Sequence, residues 1–511
     1  MVTGVELKSE LVQTVGNDGN LSSADTIFSK EKSPSVIRAF KNVLVICFAF
    51  LLQFTAFSAI ANLQSSLNTD ANVGVNSLSI IYACLLLSAT FLPHPSIATF
   101  GLKWTIVISQ IPYLLYMVAN YYPKVYFMYP TAALVGLAAG PLWTSKCIYL
   151  TEMGSIYAFE KKLDKNIIIN RYFGIFFMFF QSGQIWGNLI SYLVLMPEER
   201  IYAINGTENN RSLVFESYAK CGADFIEEEY QAVEDTHRID RKTIDILCII
   251  YICVCVCSIL IVAVFLDQRR TSSRDRMSVM FCNSMKLLVS TVKHLRHINQ
   301  LLLIPITVWS GLEQSFLWTQ FSKGFISCVL NAKYVGLILM GFISCVLNAK
   351  YVGLILMVYG ICDSIGSFAF GQLVKLVGRW PCFDFAAIIN YALIITMLVW
   401  HPSQDQIAVL FVLAALWGVT DAIWQTQINA FYGVIFTENR EAAFSNYRLW
   451  ESTGFAFFRI ITPYIRVRLV LIILAIFLSF GIVGYTMTEY RSRTLEETKD
   501  KTKTNNTVSL S

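Results

Sequence analysis

Long apolar runs recur along the whole of this chain, and most of them are long enough to cross a lipid bilayer as a helix. The hydrocarbon core is about 30 Å thick, so a helical crossing needs roughly 20 mostly apolar residues. Backbone polar groups in lipid must pair internally, which makes helices the expected element. The sequence predicts twelve crossings, at 40–62, 75–92, 104–122, 126–150, 172–195, 244–266, 300–321, 341–369, 383–400, 407–436, 452–465 and 467–489.

Composition excludes the main alternatives to a membrane protein. With 55% apolar and 15% charged residues over 511 positions, the chain has too little polar surface for a water-soluble globule. A net charge of +5 is too small to indicate nucleic-acid binding. The first 35 residues lack the apolar core of a cleavable signal peptide. No motif of an enzyme, metal site or cofactor site occurs, so a non-enzymatic protein without a cofactor is predicted.

Charge between the runs predicts the orientation, because Lys and Arg in short loops mark the cytoplasmic side. The segment 268–300 holds seven basic residues and one acidic residue. We therefore predict an integral membrane protein, in the plasma membrane, with both termini cytoplasmic. The predicted regions are a cytoplasmic tail (1–39), an N-terminal six-helix half (40–266) with an external loop (196–243), a basic cytoplasmic loop (267–299), a C-terminal six-helix half (300–490) and a second cytoplasmic tail (491–511).

The predicted external loop differs from the others in charge and in modification signals. Residues 196–242 contain eleven acidic and six basic residues. Asn205 and Asn210 lie in glycosylation sequons, which have meaning only on an external or luminal loop. Cys221 is the only cysteine predicted outside, so a disulfide within this loop is excluded and nothing supports a pairing elsewhere. Arg466 and Arg468 oppose the predicted external position of the last turn.

A six-plus-six division suggests the major facilitator arrangement, in which two six-helix repeats enclose a central cavity. Helix four contains Trp143 and helix ten contains Trp424, each in a similarly spaced set of small and aromatic residues. The loop after helix eight, with Gly371, Gly378 and Arg379, resembles the facilitator pattern of two glycines that flank a basic turn. The fold class is therefore an all-α membrane protein of major facilitator type.

Among the ionisable residues inside predicted crossings, four are candidates for a functional site: Lys146, Glu313, Asp363 and Asp421. Ionisable groups are costly at bilayer depth unless they face a partner or a wet cavity. Helices four, seven and ten can border the cavity, so Lys146 is expected to pair with Glu313 or Asp421 across the two halves. Two interpretations stay open, namely an ion or proton site and a structural salt bridge that holds the halves together.

Helix ten also carries three amide side chains, Gln425, Gln427 and Asn429. These side chains either line the same cavity or hydrogen-bond between helices. Trp143 and Trp424 are interpreted as packing residues.

One apolar segment of 17 residues occurs twice without change, at 324–340 and 341–357. A second copy that crossed the bilayer would reverse the side of every later segment and would place the basic loop after helix eight outside. The first copy is therefore expected to form a bulge, a hairpin or an external extension before helix eight, without a function of its own.

Several stretches resemble the uncoordinated-93-like family of twelve-helix membrane proteins. These are GPLWTSKCIYLT at 140–151, FFQSGQIWGNLIS at 179–191, GLEQSFLW at 311–318 and the long segment 415–455. The resemblance covers roughly residues 40–490, and it implies the major facilitator fold and a role as a regulatory partner of a potassium channel. Related proteins pair a cysteine of the external loop with one a few residues on, whereas no second cysteine follows Cys221 here.

Three classes of function stay open at this point. The first is an accessory subunit of a potassium channel, as the resemblance implies. The second is a facilitator that moves a small solute or an ion. The third is a trafficking chaperone for membrane receptors, the role of one branch of the family. The lipid bilayer and a channel subunit are the expected partners.

Overall fold

The fold is helical from end to end of the described chain. A computed structural model describes residues 36–67, 73–195, 221–226, 241–269, 297–328, 341–402, 406–436 and 440–508, and these ranges contain no β-strand. The major helices are α1 (Val36–Leu67), α2 (Val73–Phe91), α3 (Pro93–Tyr121), α4 (Val125–Lys161), α5 (Lys165–Leu195), α6 (Arg241–Phe265), α7 (Ile298–Phe316), α8 (Gly341–Val377), α9 (Arg379–Val399), α10 (Ile407–Ile435), α11 (Arg440–Ile461) and α12 (Val467–Val508). Helix α7 continues as a π-helical segment, Leu317–Ser327.

Nine helices in the described ranges are long and apolar enough to cross a membrane. The three that do not meet this criterion are α2, α5 and α11. Each of these packs against a helix of the opposite half, α2 against α11 and α5 against α8. Helix α2 misses the criterion by length, because its apolar stretch Asn76–Phe91 is shorter than 18 residues. Helices α5 and α11 have lower hydropathy, and a helix that faces protein can carry polar side chains that would be costly against lipid. The total of twelve crossings stays a prediction.

Helix α11 differs most from its prediction. The sequence predicts a crossing at 452–465, whereas α11 runs from Arg440 to Ile461. Its first half carries charged side chains, which a hydropathy pattern assigns to a loop. Arg448, which the charge pattern places in a cytoplasmic loop, is only 6% exposed inside this helix, and Glu451 is only 4% exposed. Burial against other helices has overridden the local pattern.

The two halves share one packing scheme. In the first half α2 and α3 pack on α4, while α1 packs on α5 and α6. In the second half α8 and α9 pack on α10, while α7 packs on α11 and α12. Each pair therefore recurs with a shift of six helices, as expected for two structural repeats.

Two glycines mark equivalent positions in these repeats. Gly101 has φ 71° and ψ 171°, and Gly378 has φ 83° and ψ 173°. The left-handed region favours glycine, because a Cβ would be strained there. Gly378 directly precedes α9, and Gly101 forms a kink near the start of α3. The loop before α9 and the corresponding kink in α3 thus share a backbone conformation.

Helices α5 and α8 approach each other at a second pair of glycines. A Cβ on Gly371 would lie 2.8 Å from the Cα of Gly174, and a Cβ on Gly174 would lie 2.7 Å from the Cα of Gly371. Small residues allow such backbone approach between membrane helices. Close by, Arg171 Nε donates to Gln372 Oε1 at 2.8 Å. The two halves are therefore in direct contact near the predicted cytoplasmic ends of α5 and α8.

Candidate functional site

Three carboxyl groups of the C-terminal half meet in the protein interior. Glu313 of α7 and Asp363 of α8 each lie within hydrogen-bonding reach of Asp421 of α10. All three are at most 1% exposed. These three residues form the acidic cluster, and they are three of the four ionisable residues named as candidates from the sequence.

Neutral donors surround the acidic cluster. Gln314 Nε2 and Gln181 Nε2 each lie 3.3 Å from an Asp421 oxygen, and the Tyr359 hydroxyl donates to the same carboxyl. Trp417 Nε1 donates to Glu313 Oε2 at 2.6 Å. Because Gln181 belongs to α5, the N-terminal half also contacts the cluster.

The electrostatics of the acidic cluster favour shared protons. Like charges repel strongly where the effective dielectric constant is low, so three carboxyls in contact are not all ionised together. None of the three forms an ion pair with Lys or Arg in the part of the chain that the structure describes. The same part contains no group of three or more His, Cys, Asp or Glu residues placed to hold a metal ion. The arrangement is therefore suited to holding and exchanging protons.

A polar stripe on α10 leads away from the acidic cluster. Asp421, Gln425 and Asn429 are spaced by four residues and so share one helix face. Gln425 Nε2 donates to Ser310 Oγ at 2.9 Å, and Asn429 Nδ2 donates to the Tyr447 hydroxyl at 3.2 Å.

Gln427 lies on another face of α10. Its Nε2 is 3.4 Å from the backbone oxygen of Phe370 in α8. All three amides therefore hydrogen-bond to another helix, as the second of the two interpretations expects, and Gln425 and Asn429 do so from the interior stripe.

Lys146 does not form the expected pair with Glu313 or Asp421. Its Nζ is fully buried and has no hydrogen-bond partner within the described ranges. The ammonium instead lies 4.2 Å from the ring centroid of Phe176 and 4.9 Å from that of Trp143. The prediction was wrong because it was based on helix numbers alone, and position around the helix axis directs Lys146 toward α5.

An ion pair that the sequence did not predict lies beside Lys146. Arg448 donates to Glu451 within α11, and the Tyr447 hydroxyl donates to the same carboxyl at 2.9 Å. The Arg448 guanidinium lies 4.5 Å from the centroid of Trp143 in α4. A polar network therefore joins α4 of the N-terminal half to α11 of the C-terminal half, and Cys147 Sγ of α4 also donates to Asn429 Oδ1 of α10 at 3.3 Å.

The remaining motif residues have mainly structural surroundings. Trp143 packs on Phe54 with centroids 5.0 Å apart, and Trp424 Nε1 donates to Asn390 at 2.7 Å. Arg379 lies 3.7 Å from Glu489 and stacks 4.6 Å from the Phe431 ring centroid. Trp143 thus combines packing with contact to two buried cations.

A short segment of the predicted external loop, 221–226, docks on the C-terminal half. Cys221 forms a disulfide with Cys328, which follows the π-helical end of α7. The Phe225 backbone oxygen accepts a hydrogen bond from the Val467 amide at 3.1 Å, and Asp224 lies 3.4 Å from Arg468. The segment therefore contacts the first and the last helix of the C-terminal half, at the end of α7 and the start of α12.

The disulfide corrects the prediction that nothing would support a partner for Cys221. The partner lies 107 residues away, in the first copy of the repeated segment. Cys328 lies between the predicted crossings 300–321 and 341–369, and only the folded chain shows that α7 extends to it and ends at the same surface as the loop. The ion pair with Asp224 also explains why Arg468 can occur beside the last turn, which is predicted to be external.

The duplicated segment divides between two helices. The first copy supplies the end of α7, including Gly324, Phe325 and Cys328, and the second copy begins α8 at Gly341. Residues 329–340 lie outside the described ranges. The first copy therefore begins as an extension of α7, and its start is part of the disulfide-linked surface, contrary to the expectation that it has no role.

Two predicted sites lie outside the described ranges, namely the glycosylation sequons at Asn205 and Asn210. They stay predictions. Of the residues that the sequence did not predict, Arg448 and Glu451 carry the clearest signal, since both fall in the long stretch 415–455 that carries the family resemblance.

Comparison with known proteins gives one consistent family. The sequence model of the family "Ion channel regulatory protein UNC-93" matches residues 65–485. "Protein unc-93 homolog A" of Xenopus laevis is 39% identical over 482 residues, which cover 93% of this chain and 97% of that protein. The "Putative potassium channel regulatory protein unc-93" of Caenorhabditis elegans is 32% identical over 467 residues, which cover 90% of this chain and 62% of that protein.

Solved structures agree on the fold. The Major Facilitator Superfamily transporter FucP in its outward conformation aligns with a TM-score of 0.56 at 11% identity, over 87% of this chain and 98% of FucP. At this identity the likeness shows the fold alone. Together with the family match, it confirms the predicted facilitator-type architecture: the chain is a membrane protein of the UNC-93 family, built on the Major Facilitator Superfamily fold.

Proposed function

We propose that this protein is a non-enzymatic regulatory partner of a potassium channel. The supporting observation is its 32% identity over 467 residues with the Caenorhabditis elegans protein named as a putative potassium channel regulator. The description of the matching family, an ion channel regulatory protein, points the same way.

A partner channel in the same bilayer would be contacted through helix surfaces. Helix α9 presents Ile388, Ile395 and Val399 with exposed fractions of 68%, 59% and 82%. Such aliphatic side chains can face lipid tails or a neighbouring membrane helix equally well, because lipid and protein surfaces are similarly apolar. Regulation by contact within the membrane therefore requires no soluble domain.

Coexpression with potassium channels tests this function. Cells would express one channel from each structural class with or without this protein, and channel number at the surface would be measured beside the current. We expect at least one channel to change its open probability by about twofold or more, a shift of about 0.4 kcal/mol in its gating equilibrium.

The control is an unrelated twelve-helix facilitator expressed at the same level. Unchanged currents in every pairing would contradict a regulatory role. A change in surface number at constant open probability would instead support the third class of function, a trafficking chaperone.

We infer a second candidate function, transport of a solute coupled to protons, from the acidic cluster. Glu313 and Asp363 each lie within hydrogen-bonding reach of Asp421 inside a facilitator fold, with Gln181 of the other half bonded to Asp421. Both halves contact this site, so the gain or loss of a proton there can change which relative position of the two halves is favoured. The reason is that each protonation state has a different energy in each relative position.

Vesicles that contain the purified protein test this candidate. A proton gradient should drive uptake of at least one solute from a mixture, and Asp421→Asn should lower the initial rate at least about tenfold if the carboxylate exchanges the coupled proton. Asp384→Asn, which changes a carboxylate in α9 outside the cluster, should leave the rate unchanged. Equal rates in both variants would contradict a role for the cluster.

A further inference from the structure

The side chain of Lys146 is a buried cation without a hydrogen-bond acceptor in the described ranges. It is fully buried on α4, and four aromatic rings surround its ammonium. Their centroids lie at distances of 4.9, 5.6, 4.2 and 4.9 Å from Nζ, for Trp143, Phe173, Phe176 and Phe177 respectively. The rings offer attraction for the charge, but no lone pair for its three N–H groups.

A second cation reaches the same tryptophan from the opposite half. The Arg448 guanidinium of α11 lies 4.5 Å from the Trp143 centroid, and its Nε also lacks a hydrogen-bond partner within the described ranges. Glu451 neutralises one of these two cations. Among the residues that the structure describes, one positive charge and four N–H donors are thus left without a counterpart between α4 and α11.

Such an imbalance is costly in a membrane protein. Removal of a charge from water is unfavourable, and contacts with aromatic rings offset only part of that cost. Buried donors without an acceptor add a further penalty. A ligand that supplies one negative charge and several lone pairs would remove both costs together.

We propose that the space between Lys146, Arg448 and Trp143 binds a small anion with a single negative charge, either a halide or a carboxylate. A single charge matches the net charge of the three ionised side chains, whereas phosphate or sulfate would overcompensate it. Lys146 supplies donors from the N-terminal half, and Arg448 supplies its Nε–H from the C-terminal half. The site is independent of the proposed effect on a channel, because it is defined by charge balance inside this chain.

Thermal unfolding of the full-length protein in lipid nanodiscs tests the site. Sodium gluconate, whose anion is too bulky for a dry interior, would be replaced stepwise by sodium chloride or sodium acetate at constant ionic strength. We expect the unfolding temperature to rise with the logarithm of the concentration of at least one of the two anions, as binding to the folded state alone requires. A rise with chloride only, or with acetate only, identifies the source of the charge.

Three variants complete the experiment. Lys146→Met should abolish the concentration-dependent rise, and Lys146→Arg should keep it with an affinity changed by about tenfold or less. Lys375→Met, which removes an exposed cation at the end of α8, should behave as the unchanged protein. The proposal is overturned if neither anion raises the unfolding temperature above its value in gluconate, or if the rise persists undiminished in Lys146→Met. Should Lys146→Met fail to fold, loss of the rise in Arg448→Lys, which lacks the Nε donor geometry, supports the site, and its full retention contradicts it.

Discussion

Replacement of Glu451 by glutamine is expected to lower the free energy of unfolding by about 3–5 kcal/mol. Glu451 is the acceptor of the Arg448 guanidinium and of the Tyr447 hydroxyl, and it is 4% exposed. Glutamine keeps the size of the side chain but removes its charge, so two buried cations, Arg448 and Lys146, would face each other near Trp143 without a carboxylate. The measurement is thermal unfolding of the purified protein, and the readout is the fraction of protein that stays monodisperse after heating.

The same helix offers a matched control. Glu441 pairs with His94 at 2.5 Å near the start of α11, where both side chains are partly exposed. Its replacement by glutamine should cost only about 0–1 kcal/mol, as for other pairs that solvent reaches. Equal effects of Glu441→Gln and Glu451→Gln would show that burial of the Arg448 pair contributes nothing. A second test is Lys146→Met in the Glu451→Gln background, which removes one of the two cations and should restore part of the lost stability.

Removal of Cys328 is expected to separate two halves of the chain that otherwise stay linked. A protease site inserted between residues 227 and 240 would cut the chain on the C-terminal side of Cys221. Because Cys221 and Cys328 then belong to different fragments, the fragments should migrate together on a non-reducing gel and apart after reduction. In Cys328→Ser the fragments should separate under both conditions, and the unfolding free energy of the uncut protein should fall by about 2–4 kcal/mol.

The duplicated segment supplies the control for this experiment. Cys345 occupies the same position in the second copy as Cys328 does in the first. Cys345→Ser should therefore leave the fragments linked and the stability unchanged. Linked fragments in Cys328→Ser, or separated fragments in Cys345→Ser, would contradict the observed pairing and would place the linkage in the second copy.

The predicted cytoplasmic boundary of the first half shows a different kind of polar contact. Asp267, just after α6, accepts hydrogen bonds from Lys41 at 3.0 Å and Asn42 at 3.1 Å. Burial by itself would raise the pKa of this carboxyl, but the two donors outweigh that effect and hold the pKa below its ordinary value. The contact thus favours folding above the ordinary pKa of aspartate, and this contribution is lost as the pH falls through the lowered value.

Particular residues show where prediction from the sequence ends. Glu313, Asp363 and Asp421 were selected because ionisable groups are rare in membrane helices, and the structure brings all three together. Lys146 was selected for the same reason, but its partners could not be inferred, since rotation of α4 about its axis decides which helix it faces. Arg448 and Glu451 were missed because a polar helix buried by its neighbours has no signal in hydropathy.

The sequence by itself determined that this protein lies in a membrane, that it consists of helices, and which family it resembles. These properties depend on apolar length and on local motifs, which are written residue by residue along the chain. The tertiary structure decided the Cys221–Cys328 disulfide, the ion pair inside α11 and the aromatic surroundings of Lys146. Each of these depends on the approach of segments far apart in the chain, and such approach is set by the packing of whole helices against one another rather than by any local pattern.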